Sequence, residues 1–144
     1  MTGGTYTLVI DLAERAEVEV GALGTYTFDP GWYAYVGSAN GAGGFARVDR
    51  HQELATGERD VRHWHVDYLL GHPATAVDAV ERTPGADAEC RVAASVEGAP
   101  VPDFGCSDCG CDSHLFYDAS RASLLGSVHE THRSVRDERV NTDL

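Results

Sequence analysis

The stretch Tyr33-Ala34-Tyr35-Val36-Gly37-Ser38-Ala39, with the pattern Phe45-Ala46-Arg47-Val48-Asp49-Arg50-His51 after it, constrains this chain more than any other. It reads as a strand, a glycine-rich turn and a short helix. Alternation puts Tyr33 and Tyr35 on one strand face and Ala34 and Val36 on the other. Gly41, Gly43 and Gly44 fall between strand and helix, where the backbone must turn tightly or approach something closely. Arg47, Arg50, His51 and Leu54 follow i, i+3, i+4, i+7 spacing, so one helical face is mostly cationic. A phenol facing an arginine across a glycine turn suits phosphate chemistry: one group handles a water, the other neutralises charge. The plain alternative is a tyrosine-rich strand packed on a solvated helix.

The chain of 144 residues is long enough for one domain with a real core. It has no apolar run of about twenty residues, so no membrane span, and no basic-then-apolar leader. Both point to the cytoplasm. The 23 acidic residues outnumber 11 basic ones, all of them Arg, for a net charge of −12. Excess carboxylate ordinarily disfavours nucleic acid. Without lysine, the same balance fits a halophile's cytosol, where molar salt cuts the screening length to about 3 Å. Net charge then describes the solvent, and local clusters of Arg carry the information about ligands.

Residues 5–12 read as a buried strand, and 16–29 as a hairpin around Gly21-Ala22-Leu23-Gly24. After the strand 32–38 and the helix 44–56, residues 61–70 suit helix or strand equally. A strand follows at 75–80, a helix at 86–96, and a short final strand at Leu115-Phe116-Tyr117. Residues 119–144 read as a polar tail outside the 1–118 domain, partly helical near Leu124-Leu125 and frayed beyond Glu130. The fold class is α/β (α+β): a small, mainly antiparallel sheet flanked by helices, with an inserted N-terminal hairpin.

Three sets of residues could carry chemistry. Glu89 falls on a helical stripe with Val92, Ala93 and Val96, where a carboxylate needs a partner or a cation. That stripe turns it toward a cleft between the arginine helix and the sheet. Its alternative is a marginal acid paired with Arg91 or Arg47. His63 and His65 share a face if their segment is extended, as metal ligands do; in a helix, His63 instead faces Asp67. Cys106, Cys109, Cys111 and His114 have the ligand types of zinc. Four ligands within nine residues hardly surround one ion, so a Zn²⁺ site built from two of these cysteines, His114 and His63 or His65 is easier. Unliganded thiols are the competing reading.

Taken together, Gly4-Thr5-Tyr6, Tyr35-Val36-Gly37, Arg47-Val48-Asp49-Arg50-His51 and Glu89 resemble the GIY-YIG nuclease superfamily. The likeness is closest to an uncharacterised prokaryotic branch sometimes fused to endonuclease III. Its segments match His63-Trp64-His65-Val66-Asp67-Tyr68-Leu69-Leu70 and the run from Ser107 to Tyr117. The resemblance implies a divalent-metal-dependent endonuclease, acting on DNA ahead of RNA, with a DNA-repair partner. Tyr6 and Tyr35 would orient or deprotonate the attacking water, Arg47 would bind the phosphate and His51 would handle a proton. Glu89 would hold Mg²⁺ or Mn²⁺ through mostly water coordination. The superfamily's late asparagine has no clear counterpart. A catalytically silent nucleic-acid-binding module and a thiol or metal enzyme unrelated to nucleic acid stand as alternatives.

Overall fold

Gly4-Thr5-Tyr6-Thr7-Leu8-Val9-Ile10-Asp11-Leu12 is rich in β-branched and apolar residues at both parities, the pattern of a strand covered on both faces. In the computed structural model, which describes residues 3–39, 44–57, 65–85, 88–102, 104 and 113–143, this segment is β1 (Gly4–Leu12), near the middle of the sheet. After it come β2 (Ala16–Glu19), a 3-10 turn (Gly21–Leu23), β3 (Thr25–Phe28), β4 (Gly31–Ser38), α1 (Ala46–Thr56), α2 (His65–Leu70), β5 (Thr75–Pro84), α3 (Glu89–Ser95), β6 (Ala99–Pro100), β7 (Leu115–Asp118) and α4 (Arg121–Asp143).

The main sheet has five strands in the order β5-β1-β4-β7-β6, every described pair antiparallel. The hairpin β2-β3 forms a second, two-stranded sheet inserted between β1 and β4. It buries Ala16, Val18 and Phe28 and turns Glu17 and Glu19 outward.

Alternation assigns each helix to a face. Tyr6, Leu8, Ile10, Leu12, Tyr33 and Tyr35 point to one side, where α1, α2 and the hairpin cover them. Val9, Ala34 and Val36 point to the other, under α3 and α4. Each fully buried Leu or Ile of β1 contributes on the order of 2 kcal/mol of apolar burial. Beside β5, β1 has a register shift between Val9 and Ile10. The bulge skips Asp78, which accepts a hydrogen bond from Arg121 Nε at 3.0 Å.

Residues 119–144, expected as a polar tail, instead supply α4. Leu124, Val128 and Val135 are buried against the sheet, and the helix continues to Asp143 rather than fraying after Glu130. Its apolar stripe is sparse because Thr131 and His132, both buried, occupy positions in it. His132 bridges the strands, Nε2 to Thr7 Oγ1 at 2.7 Å and Nδ1 to Thr83 Oγ1 at 2.8 Å. Strand β5 runs four residues beyond the expected Val80, and β6 was not foreseen. No helix among the described residues is long and apolar enough to cross a membrane.

Candidate functional site at the end of the sheet

Tyr6 stands opposite Gly37 in the β1–β4 register. Gly37 has to lack a side chain, because a Cβ there would collide with the Tyr6 ring and hydroxyl. Tyr6 lies across β4, its ring 6.5 Å from that of Tyr35 on the same face. Helix α1 turns Val48, His51 and Leu54 inward, and Gly57 ends it in the left-handed conformation with φ 83°. The inward stripe is therefore less cationic than its spacing suggested: Arg47 and Arg50 flank it, half-buried.

His51 receives the Tyr6 hydroxyl. The distance from Tyr6 Oη to His51 Nε2 is 2.8 Å, and His51 Nδ1 is 2.9 Å from Asp67 Oδ1. An ionised carboxylate only accepts, so Nδ1 carries the proton, and Nε2 presents its lone pair to the phenol. Tyr6, His51 and Asp67 are no more than 1% exposed. Every buried side-chain polar atom among the described residues has a partner. A helical reading of this segment set Asp67 opposite His63, which lies outside the described residues; in α2 its carboxylate bonds His51.

Burial, and then the neighbouring Tyr35, push the Tyr6 phenol well above its usual pKa. Arg47 acts the other way, and Glu89 and Asp67 add to the rise. Arg47 and Glu89 thus act on the phenol in opposite senses.

Their routes to it differ. Arg47, in the first turn of α1, donates through Nη1 to the Ser38 carbonyl at the end of β4. Glu89 opens α3, whose cap residue Ala88 has no side-chain cap of its own. Thr5 Oγ1 instead accepts the Ala88 N–H at 3.0 Å, pinning the start of α3 over the end of β1. Ser38, Ala88, Glu89, Cys90 and Arg91 line a depression of about 360 Å³. The expected cleft between α1 and the sheet is not where Glu89 lies. Helices α1 and α3 cover opposite faces, and what Arg47 and Glu89 share is Ser38 at the sheet's end, which Arg47 reaches by a hydrogen bond and beside which Glu89 lines the depression.

Glu89 also meets His114, Oε1 to Nδ1 at 3.4 Å. With Cys90 they form a group whose ligand atoms all lie within 4.8 Å of one another. Burial lowers the His114 pKa, which keeps the imidazole neutral. The sequence put Glu89 and His114 in separate sites; the structure puts them in one. His65 does not join this cluster: its ring meets Phe104 edge-on at 5.8 Å, and burial lowers its pKa too. His63, Cys106, Cys109 and Cys111 lie outside the described residues.

Cys90 and Arg82 were not singled out, and Asp67 was weighed only as a partner of His63. Arg82 pairs with Tyr6 in register and lies 5.6 Å above the Phe45 ring at the start of α1. Its signal was the length of β5. Cys90 had one, as the neighbour of an inward carboxylate; Asp67 became recognisable only once α2 was known to be helical.

The family described as Domain of unknown function DUF123 has a model that matches residues 5–137. No curated protein and no solved structure matches the chain.

Proposed function

The chain belongs to the DUF123 family, and we propose that it is a divalent-metal-dependent phosphodiesterase of the GIY-YIG type, a cytoplasmic endonuclease that cuts DNA in preference to RNA. One observation carries this reading: a buried phenol is hydrogen-bonded to a carboxylate-held imidazole near the sheet end where Arg47 bonds Ser38 and Glu89 lines the adjoining depression.

The attacking water would lose a proton to Tyr6 oxygen as the Tyr6 proton moves to His51 Nε2. The resulting imidazolium is stabilised by Asp67. Attack at phosphorus breaks the P–O bond to the leaving oxygen, which takes its proton from solvent. Arg47 neutralises charge on the phosphate, and its planar fork matches phosphate geometry. The carboxylate of Glu89, with 26% of its side chain exposed, would hold a divalent cation. Such an ion, when bound, stabilises charge on the phosphate and the leaving oxygen.

The test is incubation of single-stranded, double-stranded and branched DNA and RNA with the protein in molar KCl, with Mg²⁺ or Mn²⁺. Metal-dependent cleavage lost in Glu89→Gln supports the proposal. Binding without cleavage, unaffected by Glu89→Gln, makes the protein a nucleic-acid-binding module instead.

A further inference from the structure

We infer that Glu89, Cys90 and His114 form a site for a borderline-soft divalent ion of the Zn²⁺ class, in place of the oxygen-loving Mg²⁺ that a lone carboxylate would suit. Thiolate and imidazole ligands select such ions, whereas Mg²⁺ takes oxygen. The Glu89–His114 distance agrees. Glu89 Oε1 and His114 Nδ1 are 3.4 Å apart. That is long for a charge-assisted hydrogen bond, which runs about 2.7–2.9 Å. It is close to the edge of about 3.3 Å that two ligands at about 2.0–2.1 Å make around a tetrahedral ion. Neighbouring ligands on an octahedral Mg²⁺ would sit about 3.0 Å apart.

The backbone fixes all three residues before any ion arrives. The His114 carbonyl accepts the Val36 N–H at 2.9 Å, and its own N–H donates to the Phe104 carbonyl at 2.8 Å. Glu89 and Cys90 are the first two residues of α3, whose start is held by Thr5. Cys90 is exposed, Glu89 half-buried and His114 buried, so the site runs from the core to the depression at Ser38 and Arg91. Three protein ligands beside such a depression match metal sites that leave a coordination position to water or substrate. Arg47 reaches the same Ser38. The ligand class for that position is therefore a phosphate oxygen.

This deepens the proposed function and rests on its use of Glu89 as the metal carboxylate. Chelator-treated protein is titrated with Co²⁺ and followed by absorption. The expected result is a thiolate-to-cobalt charge-transfer band saturating near about one equivalent and reversed by Zn²⁺. Cys90→Ser should abolish the band with the circular-dichroism melt unchanged. A combined Cys106→Ser, Cys109→Ser and Cys111→Ser variant should keep it. A band that is absent from the unaltered protein, or that survives Cys90→Ser and disappears in the combined variant, overturns the site. Cleavage is assayed separately. A protein that binds Co²⁺ through Cys90 and cleaves nothing upholds the site and overturns the function; one that cleaves without a Cys90-dependent band does the reverse.

Discussion

Asp67 holds the proton of His51 Nδ1 at 2.9 Å, with both side chains shut away from solvent. This contact fixes the tautomer and aims Nε2 at Tyr6. Replacing Asp67 by Asn removes the negative charge that stabilises the imidazolium; the neutral amide either accepts weakly through its oxygen or, if flipped, offers an N–H that turns the ring or shifts its proton to Nε2. We expect a loss of cleavage on the order of a hundredfold. Since the partner stays buried, stability should fall by about 1–3 kcal/mol. His51→Gln should match Asp67→Asn in rate, and the double variant should be little worse than either, because the two residues act as a unit. Fully additive losses in single-turnover cleavage would disprove the relay.

Gly37 gives a purely geometric test. A methyl group at this position occupies the space of the Tyr6 ring. Gly37→Ala should drive Tyr6 off His51, cutting cleavage at least tenfold and costing about 1–3 kcal/mol of stability. Both are read from a denaturant melt and a rate measured on the same preparation. If neither changes, Tyr6 is not held as described.

Arg47 and Glu89 both lie beside Ser38 at the sheet's end, neither of them in the buried core, which allows them to be tested as charges rather than as packing. Arg47→Ala or Glu89→Gln should each cost about 3 kcal/mol of transition-state stabilisation, about a hundredfold in rate, with the fold retained. Arg47→Lys should recover little, because an ammonium cannot reproduce the planar fork that would hold the phosphate. A lysine variant with the unaltered rate would reduce Arg47 to a simple charge.

The strands were legible because their parity is. Tyr33 and Tyr35 share a face, and Ala34 and Val36 the other, as alternation requires. The hairpin announced itself by its glycines, and α1 by its spacing. What stayed hidden depended on contacts distant in sequence. Asp67 lies 16 residues from His51, so only the packing of α2 on α1 could pair them. Thr5 takes its meaning from Ala88, 83 residues away. The stripe of α4 was obscured because a buried histidine fills a position where a periodicity search expects an apolar residue.

Salt should stabilise the fold. The net charge is −12, and residues such as Glu17 and Glu19 project from the hairpin into solvent. Screening shortens from about 10 Å at 0.1 M to about 3 Å at 1 M, which relieves their mutual repulsion. The melting temperature should climb from about 0.1 M to molar KCl. A flat or falling series excludes a salt-adapted surface.

Acid should weaken the fold through His132. The ring is wholly buried between Thr7 and Thr83. Burial lowers its pKa from 6.5 to about 4, with Glu81 acting against the fall and Arg136 and His129 with it. A neutral imidazole can donate from one nitrogen and accept at the other, satisfying both threonines; the protonated ring cannot accept. In the unfolded chain it takes up a proton below about 6.5; in the folded protein it does so only near 4. Its contribution is therefore fully present above the unfolded value and drains away as pH falls through that window. Across the gap from 6.5 to about 4, at about 1.4 kcal/mol per pH unit, the loss approaches about 3 kcal/mol. His132→Gln keeps a donor and an acceptor without the titration. The variant should be less stable at pH 7.5 yet lose less stability between pH 6.5 and 4.5 than the unaltered chain. Denaturant melts across that range decide it: equal slopes for the two proteins would show that another group carries the acid sensitivity.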